Sequence, residues 1–224
     1  MTNCPRMAVI IGLVSCVLLT AGSRGASQPQ ETGDVLAAAQ AGVTQFLARI
    51  PVGSEALYGF TDRSEFGSVG LGTPIAVFTI VPDSIDDSTP AGEEFLVPVN
   101  EWRVPVTVNG EMRALLTVSK VRDTWKAVDF GATGLAVELR RFMANRAADV
   151  SGRRLELLRL YQLHSDFVIL VDTAPAGAPA AFCPLRSATM MLERNGQTAE
   201  SVYSKEELLP VIREDFRREA ANEK

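Results

Sequence analysis

Trp102-Arg103-Val104-Pro105-Val106-Thr107-Val108-Asn109-Gly110-Glu111-Met112-Arg113-Ala114-Leu115-Leu116-Thr117-Val118 is the stretch that decides the fold. Two β-rich runs flank an Asn-Gly pair, the residues that most readily take the positive φ of a hairpin turn. Phe95 to Val99 precedes them and Trp125 to Phe130 follows, so the region reads as an antiparallel meander. The register can be argued from the pattern of faces. A two-residue turn would set Val106 opposite Arg113 and Val108 opposite Glu111, mixing buried with exposed positions. A three-residue loop, with Gly110 left-handed as a bulge, instead pairs Val106 with Met112, Val104 with Ala114 and Trp102 with Leu116. That register is the expected one. It leaves Glu101, Arg103, Thr107, Glu111, Arg113 and Thr117 on the other face, with Leu115 the exception, and predicts a sheet wet on one side. Pro105 lacks an amide donor and points to an edge position.

Working outward, Gly67, Gly70 and Gly72 lead into a strand from Ile75 to Val81, followed by a polar loop from Pro82 to Gly92. Upstream, Val35, Leu36, Ala39, Val43, Phe46 and Leu47 recur at helical spacing from about Asp34, and Pro51 with Gly53 stops that helix. Downstream, Thr133 is placed to cap a second helix with Leu135, Leu139, Phe142 and Met143 on one face, ending between Asn145 and Ala148. Leu155 to Leu163 and Asp166 to Asp172 read as strands joined through His164-Ser165, and Ala180 to Pro184 as a short strand. Ser187 to Glu193 is a strand or helical turn ended by Asn195-Gly196. Ser204 and Glu207 have capping-box spacing ahead of Leu208, Leu209, Ile212 and Phe216. The fold class is therefore α+β, antiparallel β-meanders with packed helices. The order of elements suggests two helix-on-sheet halves, 34–131 and 132–217, with a flexible lead-in at 27–33 and a charged tail at 218–224.

Residues 1–26 have the order of a secretory signal: Arg6 in a short polar start, an apolar run from Met7 to Leu19, then Thr20-Ala21-Gly22-Ser23. The expectation is an exported protein of the periplasm, cell surface or medium, cleaved after Ala21, Gly22 or Ser27. Leu13-Val14-Ser15-Cys16 also has the form of a lipobox. Lipidation of Cys16 would make this a lipid-anchored envelope protein, but the apolar run continues past it through Val17-Leu18-Leu19. The run is shorter than the roughly 20 apolar residues of a membrane-crossing helix, and no later segment is long and apolar enough to be one.

Composition narrows the remaining classes. Apolar residues make up 46% of the chain, enough for a packed core without disulfides. A chain without Arg6 and Arg24 carries 27 acidic residues and a charge of about −7, which argues against nucleic acid as a partner. Cys4 and Cys16 lie in the export segment, so ordinary cleavage leaves Cys183 alone and no internal disulfide.

The segments Trp102 to Val106 and Arg113 to Val118, together with Tyr161 to Phe167 and Cys183 to Ala188, resemble uncharacterised exported bacterial proteins. A helix on an antiparallel sheet is also similar in architecture to cystatin-like and protease-propeptide modules. That second likeness is one of architecture, which does not carry function with it, and neither names an activity.

The candidate chemistry is sparse. His164 and Cys183 are the one base and the one thiol available for a thiol-dependent hydrolase, although no cysteine-hydrolase signature surrounds Cys183. Asp83, Asp86 and Asp87 offer oxygen ligands for Ca²⁺ without the spacing of an EF-hand loop. Gly67 to Gly72 is followed by a strand, which removes a phosphate-loop reading. No cofactor is called for. Arg103 and Arg113 on the open face of the meander are the expected binding surface, with Trp102 and Trp125 as anchors for a protein or small-ligand partner. The expected function is an exported, non-catalytic binding or accessory protein.

Overall fold

The computed structural model describes residues 28–82, 95–172, 180–198 and 202–222. Residues 1–26, read above as a signal, with Cys16 among them, and the Asp83, Asp86 and Asp87 loop lie outside the described residues. The chain order is α1 (Gln28–Arg49), β1 (Val69–Leu71), β2 (Ile75–Thr79), β3 (Val97–Val108), β4 (Glu111–Val121), β5 (Thr124–Gly131) and α2 (Thr133–Asn145). A single turn α3 (Ala147–Val150), β6 (Arg153–Leu160), β7 (Ser165–Asp172), β8 (Ala181–Pro184), α4 (Thr189–Arg194) and α5 (Lys205–Asn222) complete it. The class is α+β, with helices packed on a mostly antiparallel sheet of eight strands.

Strand order explains how the two expected halves become one body. The sheet runs β5-β4-β3-β2-β6-β7-β8, with β1 also beside β3. Hairpin neighbours pair antiparallel, whereas β6 pairs parallel with β2. A parallel neighbour requires a crossover, which α2 and α3 supply by carrying the chain from β5 back over the sheet. The halves therefore share a sheet and are not separate units. Val104, Val106, Ala114, Leu116 and Val118 face one side, in a cluster with Val35, Ala39 and Leu47 of α1 and Leu208, Ile212 and Phe216 of α5. The opposite face holds a smaller cluster, in which Ala136, Leu139 and Phe142 of α2 cover Ile75, Val77, Leu115, Leu157 and Val168.

The hairpin departs from its expected register. Val108 stands opposite Glu111 and Thr107 opposite Met112, so Asn109 (φ 52°) and Gly110 (φ 79°) form a two-residue turn. The register then shifts between Val106 and Thr107, with Arg113 as the extra residue, and Val106 meets Ala114, Val104 meets Leu116 and Trp102 meets Val118. The expected partners are thus displaced by two. Side chains alternate with period two, so such a displacement keeps the face while changing the neighbour. The bulge restores the parity that the short turn alone would have broken.

Three further expectations are corrected. Pro105 is not on an edge, because β3 is paired on both sides. Its carbonyl accepts from the Gly72 amide at 2.8 Å. The N–H and C=O of a strand residue point to the same neighbour, so the absent N–H faces the Thr73-Pro74 step between β1 and β2, where no partner is required. The Arg103 face is not wet along its length, since α2 packs on β4 there and Met112, Leu115, Arg103 and Thr117 are buried. Finally, α1 begins at Gln28 and α5 runs to Asn222, so most of the lead-in and tail is helical.

Caps show one success and one failure. The Ser204 amide donates to Glu207 Oε2 at 2.8 Å and the Glu207 amide donates to Ser204 Oγ at 3.3 Å, a reciprocal capping box. The bond from the Ser204 amide holds the Glu207 carboxyl below its ordinary value. Thr133 does not cap α2. Ala132, at φ 47°, occupies that position without a side-chain bond, because the chain leaves β5 through two successive positive-φ residues, Gly131 and Ala132.

Candidate functional site

Helix α2 is short for the face it must cover, and two clefts open beside it. The first, of about 660 Å³, lies at the N-terminal half of α2 and is lined by Ala56, Gly59, Met112, Thr133, Gly134, Val137 and Glu138, with four arginines: Arg113, Arg140, Arg141 and Arg186. The second, of about 680 Å³, lies toward the C-terminal half of α2, against the β1–β2 junction and the start of β6. Met112 and Arg140 line both clefts. Volumes of this size suit small ligands.

Each arginine of the first cleft reaches it by a different route. Arg113 is the bulge residue of β4, and its guanidinium lies 3.5 Å from Glu65 and 3.3 Å from Glu111. Its Nε is buried with no hydrogen-bond partner among the described residues. Arg140 pairs with Glu111 across the gap between helix and hairpin. Arg141 projects from the solvent side of α2, and Arg186 stands just beyond β8. Neither Arg141 nor Arg186 has a carboxylate partner among the described residues. Glu138 is the carboxylate among the lining residues, and it accepts a bond from the Arg186 amide. The guanidinium groups of Arg141, in the C-terminal half of α2, and of Arg186 therefore have no ion pair among the described residues, and Glu138 shares the cleft with them.

Gly59 shapes the opposite wall. Its φ of 85° is costly for an L side chain, and a Cβ there would collide with the Arg113 carbonyl oxygen. The 55–59 turn can thus press against β4. Glu55 fixes the same turn: its carboxyl is held below its ordinary value by its own backbone amide and by Arg63, whose Nη1 lies 2.8 Å away.

The sequence-predicted binding residues are not brought together. Arg103 is buried, with Nη2 2.7 Å from Glu101 Oε1 and Nη1 donating to Thr117 Oγ1. It is committed to the sheet, and only Arg113 lines a cleft. Trp102 lies in the core, while Trp125 is half-buried beside Lys120. Arg140, Arg141 and Arg186 were not singled out from the sequence. Arg140-Arg141 on the polar side of an amphipathic helix was the available signal; Arg186 gave none, because only the sheet order places it near α2.

The thiol pair is also separated. Cys183 pairs in register with Val168, inside the cluster under α2. His164 lies in the exposed turn before β7, four residues upstream of Val168, roughly 13 Å of extended chain. Burial pushes the Cys183 thiol up, the opposite of an activated nucleophile. Alkylation of Cys183 by iodoacetamide in the native protein at pH 8 should be slower than in urea by about two orders of magnitude, tracking transient opening. Equal rates in the two states would overturn that placement.

The fold and these clefts define an α+β protein with a cationic ligand-sized site on the α2 face of its sheet. Compared with models of protein families, with curated proteins and with solved structures, the chain finds no match. Among the described residues no helix is long and apolar enough to cross a membrane.

Proposed function

We propose that this is an exported, non-catalytic binding protein that holds an anionic ligand in the cleft at the N-terminal half of α2. The observation that carries the reading is the pair Arg141 and Arg186, whose guanidinium groups line a ligand-sized cleft with no ion pair among the described residues, in a lining of four arginines and one carboxylate, Glu138. Guanidinium groups without an ion pair favour carboxylate or phosphate, which arginine meets with paired N–H donors. The separation of His164 from Cys183 withdraws support from a thiol hydrolase. Export rests on the signal-like residues 1–26, and N-terminal sequencing of the protein from its native envelope tests it: a first residue between Gly22 and Gln28 supports cleavage, and a retained Met1 refutes it.

The binding claim is tested by thermal unfolding with phosphate, citrate and a short acidic peptide at low salt. At least one anion should raise Tm, the rise should shrink with added salt, and Arg141→Glu with Arg186→Glu should abolish it. A Tm indifferent to every anion, or a rise unaffected by charge reversal, would sink the proposal.

A further inference from the structure

We infer that the two clefts together seat a monomeric single-chain amphiphile with an anionic head, an inference that rests on the anion-binding reading above. Met112 and Arg140 line both clefts, and Arg140 pairs with Glu111 of the second. Beyond that pair the chemistry changes. Pro74, Ile75, Pro105, Met112, Met143 and Leu155 give the second cleft an apolar floor. Its arginines are neutralised at the rim: Arg153 lies 2.6 Å from Asp172 and Arg154 lies 2.8 Å from Glu156.

Guanidinium groups without an ion pair among the described residues, beside Glu138, thus sit at one end, and apolar surface whose charged neighbours are paired sits at the other. A small hydrophilic anion would use only the first cleft and leave the apolar floor in water. A neutral apolar molecule would use only the second. A carboxylate or similar head at Arg141 and Arg186, with an alkyl chain passing Met112 into the second cleft, satisfies both and removes the floor from solvent. Met112 and Met143, flexible and polarisable, suit a chain of variable conformation.

Isothermal titration of the full-length mature protein with octanoate, decanoate and dodecanoate, each below its micelle concentration, tests this. Binding with 1:1 stoichiometry should tighten by about two- to fourfold per added methylene, the partition value for an apolar CH₂. The methyl ester of decanoate should bind about tenfold more weakly or worse. Arg141→Gln with Arg186→Gln at unchanged Tm, and separately Met143→Glu in a chain that still unfolds cooperatively, should each weaken decanoate by about tenfold. Affinity independent of chain length and of Met143→Glu, with phosphate or citrate still bound, would overturn the amphiphile and leave the anion site standing. No binding of any of these anions would overturn both. Binding indifferent to all the variants would place decanoate elsewhere and likewise overturn the inference.

Discussion

Phe130→Ala is expected to lower the free energy of unfolding by about 3–5 kcal/mol, the range for truncating a buried aromatic side chain. Phe130 closes β5, and its ring lies 6.2 Å from that of Phe46 on α1, 6.0 Å from Tyr58 and 6.3 Å from Phe60, in near-parallel arrangements. One ring therefore joins a helix, a strand and the turn that carries Ala56 and Gly59 to the cationic cleft. Truncation removes apolar burial and leaves a cavity bounded by three aromatic rings, one on α1 and two on the 55–60 turn, that cannot all close on it. Phe130→Leu keeps most of the volume and should cost about 1 kcal/mol. Urea unfolding followed by tryptophan fluorescence reads the difference, with the slope unchanged if only stability moves. A loss below 1 kcal/mol for the alanine variant would show that this cluster does not fasten the turn to the sheet.

Gly42→Val should destabilise the protein by about 3 kcal/mol, although valine forms a helix more readily than glycine. Gly42 lies in the middle of α1 where the helix meets β5, and a Cβ built there collides with the Cβ of Ala127. The clash is with a side chain fixed to a strand, so one of the two elements must shift. Opening Ala127 to glycine in the same chain should recover a measurable part of the loss, giving a coupling between the two sites of about 1–2 kcal/mol in a double-mutant cycle. Additive effects would mean that α1 does not approach β5 through that pair of small residues. With Phe130 on one side and Gly42 on the other, these two contacts set the height of α1 above the meander.

What could be read without coordinates was local. The alternating runs around Asn109-Gly110, the stripe of Val35, Ala39, Val43 and Leu47, and the spacing of Ser204 and Glu207 each encode structure within a few residues. Period-two and period-3.6 patterns and side-chain caps are properties of neighbours in the chain, so strands, helices and the last cap were legible. From Val106 and Ala114 outward the faces of the central hairpin were right while the partners were displaced by two, whereas Met112, expected opposite Val106, stands opposite Thr107 in the cluster under α2, because alternation specifies parity only within an unbroken ladder.

Tertiary structure decided everything that depends on distant segments. Pro105 is tolerated inside the sheet because β1 and β2 share one side of β3 and leave a gap at its missing donor. Arg103, polar and on the expected open face, is buried beside Glu101 and Thr117, whereas Arg186 joins Arg141 across a cleft because β6 returns to pair with β2. Residue type and spacing determined which segments are strands or helices and which side chains can carry charge. Where those charges meet, and whether they pair with a carboxylate or line a cleft, was settled by the crossover of α2, since long-range pairing is fixed by the burial of whole faces and not by any short run of residues.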